Sequence, residues 1–97
     1  MRGRRVDANQ AELVAAWRAA GATWIDLTDS EDAGFDGLVL FDGQTYIVEI
    51  KDGSKTPSDR RLTDKEQARR AEVEDADVFY NVVETMAAAL RLIGRGQ

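Results

Sequence analysis

Apolar residues recur along this chain at two periods, one helical and one extended. Leu13, Val14, Trp17 and Ala20 follow the 3.6-residue spacing of a helix face. Asn9 with Glu12 has the spacing of a capping box in front of that face, and Gly21 stands where such a helix would stop. Residues 23–28 read as a strand, and 29–34 as a polar, acidic loop. Residues 37–41 and 45–51 are rich in β-branched and aromatic side chains and are joined by Asp42-Gly43, a pair suited to a type I′ hairpin turn. Residues 52–62, with the only proline, Pro57, form a loop. Thr63 with Glu66 is a second capping box, and the helix it opens is predicted to run to about Glu74. The nearly continuous apolar run 77–83 is expected to be a strand buried on both faces. Met86, Ala89, Leu90 and Ile93 give the inner face of a last helix, closed by Gly94.

The predicted order is therefore helix, three strands, helix, strand, helix. This is an α/β (α+β) chain with a mixed sheet of about four strands. A crossover helix between the third and fourth strands makes them parallel and right-handedly connected. Ninety-seven residues suit one domain, 1–97, with its core at about 7–94.

Composition narrows the chemistry. No cysteine excludes disulfides, thiol nucleophiles and thiolate zinc sites; no histidine leaves carboxylates, lysines or an activated water as bases. Any metal must then be held mainly by oxygen, which points to a hard cation such as magnesium, manganese or calcium. The net charge of −5 argues against broad nonspecific binding of nucleic acid, though a local basic strip can coexist with it. The basic residues 1–5 precede no apolar stretch, so they do not read as a signal peptide; they suit a short phosphate-touching arm or a solvated tail. No apolar run approaches the ~20 residues of a membrane span, and a cytoplasmic protein is expected.

The hairpin permits a register calculation. With Asp42-Gly43 as a two-residue loop, Phe41 pairs with Gln44 and the ladder brings Asp36 opposite Glu49. Strand alternation places Lys51 on the face of Glu49. A bulge would shift this register by one. Two carboxylates and a lysine thus converge among apolar neighbours, Tyr46, Ile47, Val48 and Ile50. Opposed carboxylates repel, and a divalent cation between Asp36 and Glu49 would offset that while acidifying a water. Lys51 would orient the water or stabilise charge growing on a phosphate. A Glu-x-Lys pair by itself is common and usually lies on a solvated face.

Gly34-Phe35-Asp36-Gly37 followed by Ile47-Val48-Glu49-Ile50-Lys51 resembles the Asp…Glu-x-Lys signature of the PD-(D/E)xK nuclease superfamily, with Phe35 where proline is usual. Leu62-Thr63 with Gln67, and Asn9 with Glu12, resemble its small stand-alone VRR-NUC branch, and the likeness covers residues 7–85. It implies a restriction-endonuclease-like αβββαβ core and a Mg2+- or Mn2+-dependent DNA endonuclease. Branched or structured DNA is the implied substrate, as for a Holliday-junction resolvase in recombination or repair. By that likeness Asp36, Glu49 and the Ile50 carbonyl hold metal, Glu12 is a further candidate ligand, and Lys51 and Gln67 join Asp36 and Glu49 as catalytic residues. Gln67 has separate support: it sits where a hydrophobic staple to Leu62 would normally place an apolar residue.

Lys55, Arg60, Arg61 and Lys65 follow Lys51 in the most basic stretch of the chain and are candidate phosphate contacts. Arg69 and Arg70 continue it, balanced by Glu66, Glu72 and Glu74; Trp17 and Trp24 read as core. A homodimer would suit cutting of two strands by so small a domain. Two other classes remain open: a non-catalytic nucleic-acid- or protein-binding module on the nuclease fold, and a nuclease subunit of a larger assembly.

Overall fold

The computed structural model describes residues 7–94, so the basic segment 1–5 and its proposed phosphate arm lie outside the described residues. The elements are α1 (Gln10–Ala19), β1 (Thr23–Asp26), β2 (Gly37–Phe41), β3 (Gln44–Ile50), a 3-10 turn (Pro57–Arg60), α2 (Asp64–Asp75), β4 (Tyr80–Val83) and α3 (Met86–Leu92). The sheet order is β1-β2-β3-β4. β1 to β3 are antiparallel neighbours and β4 joins β3 in parallel, so the chain is α+β with a mixed four-stranded sheet, in the predicted order of elements.

The hairpin follows its turn chemistry. Asp42 and Gly43 both adopt positive φ, 50° and 78°, as a type I′ turn requires. The ladder then runs without a bulge from Phe41↔Gln44 to Gly37↔Val48. Alternation along these strands sends Trp24, Val39, Val48, Ile50 and Val83 to one face, where they join Leu13, Val14 and Trp17 of α1 with Ala89 and Ile93 in a single core cluster. Trp17 is fully buried; it stacks on Trp24 with ring centroids 5.6 Å apart, and its indole N–H donates to the Ala89 carbonyl at 2.8 Å. Both tryptophans are core, as expected.

Four local expectations need correction. The Asn9–Glu12 capping box does not form: Asn9 makes no side-chain cap bond, and Glu12 lies exposed. The Asn9 amide is used elsewhere, donating to the Lys51 and Glu84 carbonyls at 3.2 and 3.3 Å. β1 stops at Asp26 because its carboxylate turns back to accept the Thr28 N–H and hydroxyl. β4 begins at Tyr80 rather than at residue 77. Asp77 (φ 61°) and Val78 donate their N–H groups to the carbonyls of Glu74 and Val73, closing α2 in a Schellman motif, and Phe79 is left 85% exposed. In α3, Leu92 rather than Leu90 packs on the core cluster beside Met86.

Among the described residues, no helix is long and apolar enough to cross a membrane.

Candidate functional site

The same alternation that buries Val48 and Ile50 in the core sends Glu49 and Lys51 to the opposite face of the sheet, and Asp36, preceding core-facing Gly37, goes with them. All three are buried: Asp36 is 2% exposed, Glu49 1% and Lys51 9%. Their positions at the start of β2 and the end of β3 fall at one end of the sheet because those strands run antiparallel. A fourth ionisable residue, Glu66 of α2, is buried with them at 5% exposure.

Each charge is met by a named group. The Asp36 carboxylate accepts the Ile50 N–H at 2.7 Å, while its backbone N–H donates to the Val48 carbonyl and its carbonyl accepts from Leu27. Here the structure departs from the register extrapolated to Asp36 opposite Glu49: the ladder ends one residue earlier, at Gly37↔Val48. Asp36 replaces the next rung with a side-chain bond. The Lys51 ammonium lies 3.4 Å from Glu49 Oε2 and 3.0 Å from Glu66 Oε1. The chain itself therefore supplies part of the compensation expected of a cation, one ammonium among three carboxylates.

Electrostatics follow from these contacts. Burial pushes the Lys51 ammonium down, but the hydrogen bond it donates to Glu66 and the charges of Glu49 and Glu66 outweigh it, and its pKa is raised. Burial likewise pushes Glu66 up, yet the Thr63 N–H and the Lys51 ammonium prevail and hold it below the usual carboxylate range. Asp7 is raised, first by burial; Lys51 and Lys55 pull the other way, while Asp52 and Glu66 add to the rise. Asp7 therefore belongs to the same neighbourhood.

Two arginines bind the loops around this cluster. Arg69 of α2 donates from Nε to the Ala33 carbonyl at 2.8 Å and from a terminal nitrogen to the Asp32 carbonyl at 2.7 Å. It thereby fixes the loop from which Asp36 emerges, assisted by the Tyr80 hydroxyl, which donates to the Gly34 carbonyl. A Cβ at Gly34 would come within 2.6 Å of the Arg69 Cβ, a measure of how closely α2 lies against that loop. Arg60 donates to the Lys55 carbonyl and pairs with Glu84 at 2.8 Å, so this expected phosphate contact is engaged within the protein.

The remaining expected residues lie outside the buried cluster. Glu12 is exposed on α1. Gln67 is exposed, and its amide donates to the Leu62 carbonyl at 3.0 Å. That polar bond replaces the missing hydrophobic staple, so the staple argument for Gln67 has a structural answer. Gln67 lines an open groove of about 430 Å³ with Arg61, Leu62, Arg70, Ala71 and Glu74. Lys55 and Lys65 are exposed on the loop and on α2. Glu66 was legible only as a cap. The sequence signal that could have found it is its place at the start of the helix following β3, which faces the strand end carrying Lys51.

Among the described residues, no three carboxylates are arranged to hold a metal ion. The donor set still suits a hard cation: the Asp36 and Glu49 carboxylates with the Ile50 carbonyl are all oxygen. Magnesium commonly takes one or two carboxylates and completes its shell with water and substrate phosphate, so a two-carboxylate site is chemically sufficient. Compared with protein-family models, curated proteins and solved structures, the chain matches none.

Proposed function

We propose that this chain is a Mg2+- or Mn2+-dependent DNA endonuclease of the PD-(D/E)xK type. The observation that carries the reading is the burial of Asp36, Glu49 and Lys51 together at one end of the sheet, on the face opposite the apolar core. Asp36 and Glu49, with the Ile50 carbonyl, would hold the cation. When bound, such a cation neutralises charge on a phosphate and acidifies a water.

The protein's own groups do the rest. The Ile50 N–H orients the Asp36 carboxylate. Lys51, held by Glu49 and Glu66, serves as a positive donor toward the phosphate or orients the attacking water. Lys55, Arg61 and Lys65, all exposed, are the groups that meet the DNA backbone. Branched or structured intracellular DNA is the proposed substrate, with a homodimer presenting two sites to two strands.

A second reading is favoured by a specific observation: Lys51 already bridges Glu49 and Glu66, so part of the cluster's negative charge is offset from within. On that reading the chain is a non-catalytic binding module.

One experiment separates the two. Wild-type protein and Lys51→Ala are incubated with Mg2+ or Mn2+ and single-stranded, duplex, flap and four-way DNA, and melting curves are taken with and without Mn2+ for wild type and Asp36→Asn. The nuclease reading expects cleavage by wild type alone. It also expects a Mn2+ stabilisation of about 2.7 kcal/mol at a hundredfold excess over Kd, most of it absent in Asp36→Asn. No cleavage, with Mn2+ moving neither curve or both equally, overturns the nuclease reading, and the binding-module reading takes its place.

A further inference from the structure

Among its partners Glu66 has two that belong to different parts of the molecule, and its carboxyl also meets the Glu49 side chain. Its Oε1 accepts the Thr63 N–H at 2.9 Å, closing the capping box whose other half is Thr63 Oγ1 accepting the Glu66 N–H at 3.2 Å. The same Oε1 accepts from Lys51 Nζ at 3.0 Å. A solvated helix-cap glutamate needs no lysine and is normally exposed; this one is buried, and it is the only buried residue of α2. The box fixes where the carboxylate stands, because both ends of a capping box are anchored to backbone N–H groups.

The seat of α2 is fixed in turn by Arg69, one turn along the helix, through the Ala33 and Asp32 carbonyls. α2 is therefore located by polar contacts to the loop leading into Asp36 on one side and to Lys51 on the other. A lysine side chain has four rotatable carbons and a point charge, and it points where its partners hold it. Glu49, two residues away on the same strand face, is 3.4 Å from the ammonium, whereas Glu66 reaches it from a separate element at 3.0 Å.

We propose that Glu66 is a positioning residue, which uses the α2 capping box to hold the Lys51 ammonium beside Glu49 in the geometry that phosphodiester cleavage requires. The inference rests on the nuclease reading for its consequence, but the hold on Lys51 can be measured without any cleavage. Glu66→Gln keeps a capping-box residue and removes the charge that faces Lys51. Thr63→Ala removes the hydroxyl half of the cap but keeps both the charge and the residue-63 N–H that anchors the Glu66 carboxylate. The pair separates helix stability from lysine placement.

The first readout is amine acylation by an acetyl N-hydroxysuccinimide ester, resolved by mass spectrometry at the three lysines, Lys51, Lys55 and Lys65. In wild type and Thr63→Ala, Lys51 reacts more slowly than the two exposed lysines; in Glu66→Gln it loses that protection. The second readout is Mn2+-dependent cleavage below both melting temperatures. Glu66→Gln loses about tenfold to a hundredfold in kcat with KM unchanged, the cost of a misplaced catalytic group, and Thr63→Ala keeps wild-type kcat. Equal protection of Lys51 in all three proteins overturns the proposal, as does an equal loss of kcat in both variants. If wild type cleaves nothing, the nuclease reading fails while the acylation result still decides whether Glu66 holds Lys51. Should Glu66→Gln not fold, Glu66→Asp, which keeps the charge on a shorter arm, takes both readouts with smaller changes in the same directions.

Discussion

The two faces of the sheet are held by different physics. On the α1/α3 face, Trp17, Leu13, Val39, Val48 and Ile50 are buried to the last few per cent, and apolar burial at roughly 25 cal/mol per Å² does the work. On the α2 face, the side chains at comparable depth are the charged Asp36, Glu49, Lys51 and Glu66, joined by Tyr80, whose hydroxyl donates to the Gly34 carbonyl. There α2 contributes no buried apolar residue, and its ties to the body include the Glu66–Lys51 pair and the Arg69 bonds to a loop. Replacing such buried charges with apolar residues of similar volume is often neutral or stabilising, so a fold selected for stability alone gains little from keeping them. The first face specifies the frame; the second uses that frame to hold charge out of water.

The largest expected effect lies on the first face. Trp17→Ala removes the ring stacked on Trp24 and the indole bond to the Ala89 carbonyl, at a cost of about 3–5 kcal/mol. In a domain this small, that lowers Tm by roughly 15 °C or more. Calorimetry or circular dichroism checks it. A loss below that of Glu66→Gln would reverse the assignment of which face carries stability.

The same contrast explains what could be read from the sequence. The hairpin was legible because Asp42-Gly43 fixes a two-residue turn and apolar alternation then leaves one register, down to Gly37↔Val48. The core side chains Leu13, Val14 and Trp17 were legible from helical period alone. Failures arose where a polar side chain had more than one candidate partner. Asn9 has the spacing of a cap yet bridges the ends of β3 and β4, because two strand carbonyls compete for its amide. Glu66 satisfies its box and Lys51 with the same oxygen, and spacing records only the first. Asp77-Val78 reads as strand because its role in ending α2 is set by a left-handed backbone conformation at an aspartate, not by hydropathy. Of the site residues, Asp36, Glu49 and Lys51 follow from the register argument and do share one buried face; Glu12, drawn from resemblance, and Gln67, drawn from resemblance and the missing staple, are exposed.

A second, smaller effect sharpens the contrast through pH. The Glu66 pKa is held below its unfolded value, so its contribution is present above the ordinary glutamate range and is lost as pH falls through the depressed value. The Lys51 pKa is raised, so its contribution is present below the ordinary lysine range and is lost as pH rises through the raised value. Stability of the α2 face should therefore form a plateau between acid and alkaline limbs, while the apolar face contributes no such dependence. Melting temperatures measured from pH 3 to pH 7 should fall more steeply toward acid in wild type than in Glu66→Gln. Parallel curves would mean that this ion pair contributes nothing to the acid limb.

The smallest effect concerns a charge on the polar side that the fold does not favour. Asp7 is half-buried just before α1, and its carboxyl is raised chiefly by burial, with Asp52 and Glu66 adding to the rise and Lys51 and Lys55 opposing it. A raised folded-state pKa means that the ionised form is disfavoured on folding, so at neutral pH Asp7 subtracts from stability, and acid relieves the cost as pH falls through the raised value. This sign is opposite to that of Glu66, although both carboxylates face Lys51. The difference lies in geometry: Glu66 receives hydrogen bonds from the Thr63 N–H and the Lys51 ammonium, while the lysines act on Asp7 only through their charge. Asp7→Asn keeps the backbone carbonyl that accepts the Gln10 N–H and removes only the charge. It should raise Tm at pH 7 by about 1 °C, a size set by solvent screening of a half-exposed group, and the gain should shrink toward pH 4. A lower Tm for Asp7→Asn at pH 7 would mean that Lys51 and Lys55 stabilise the Asp7 carboxylate outright, so that the polar face extends to the start of α1 as a net contributor.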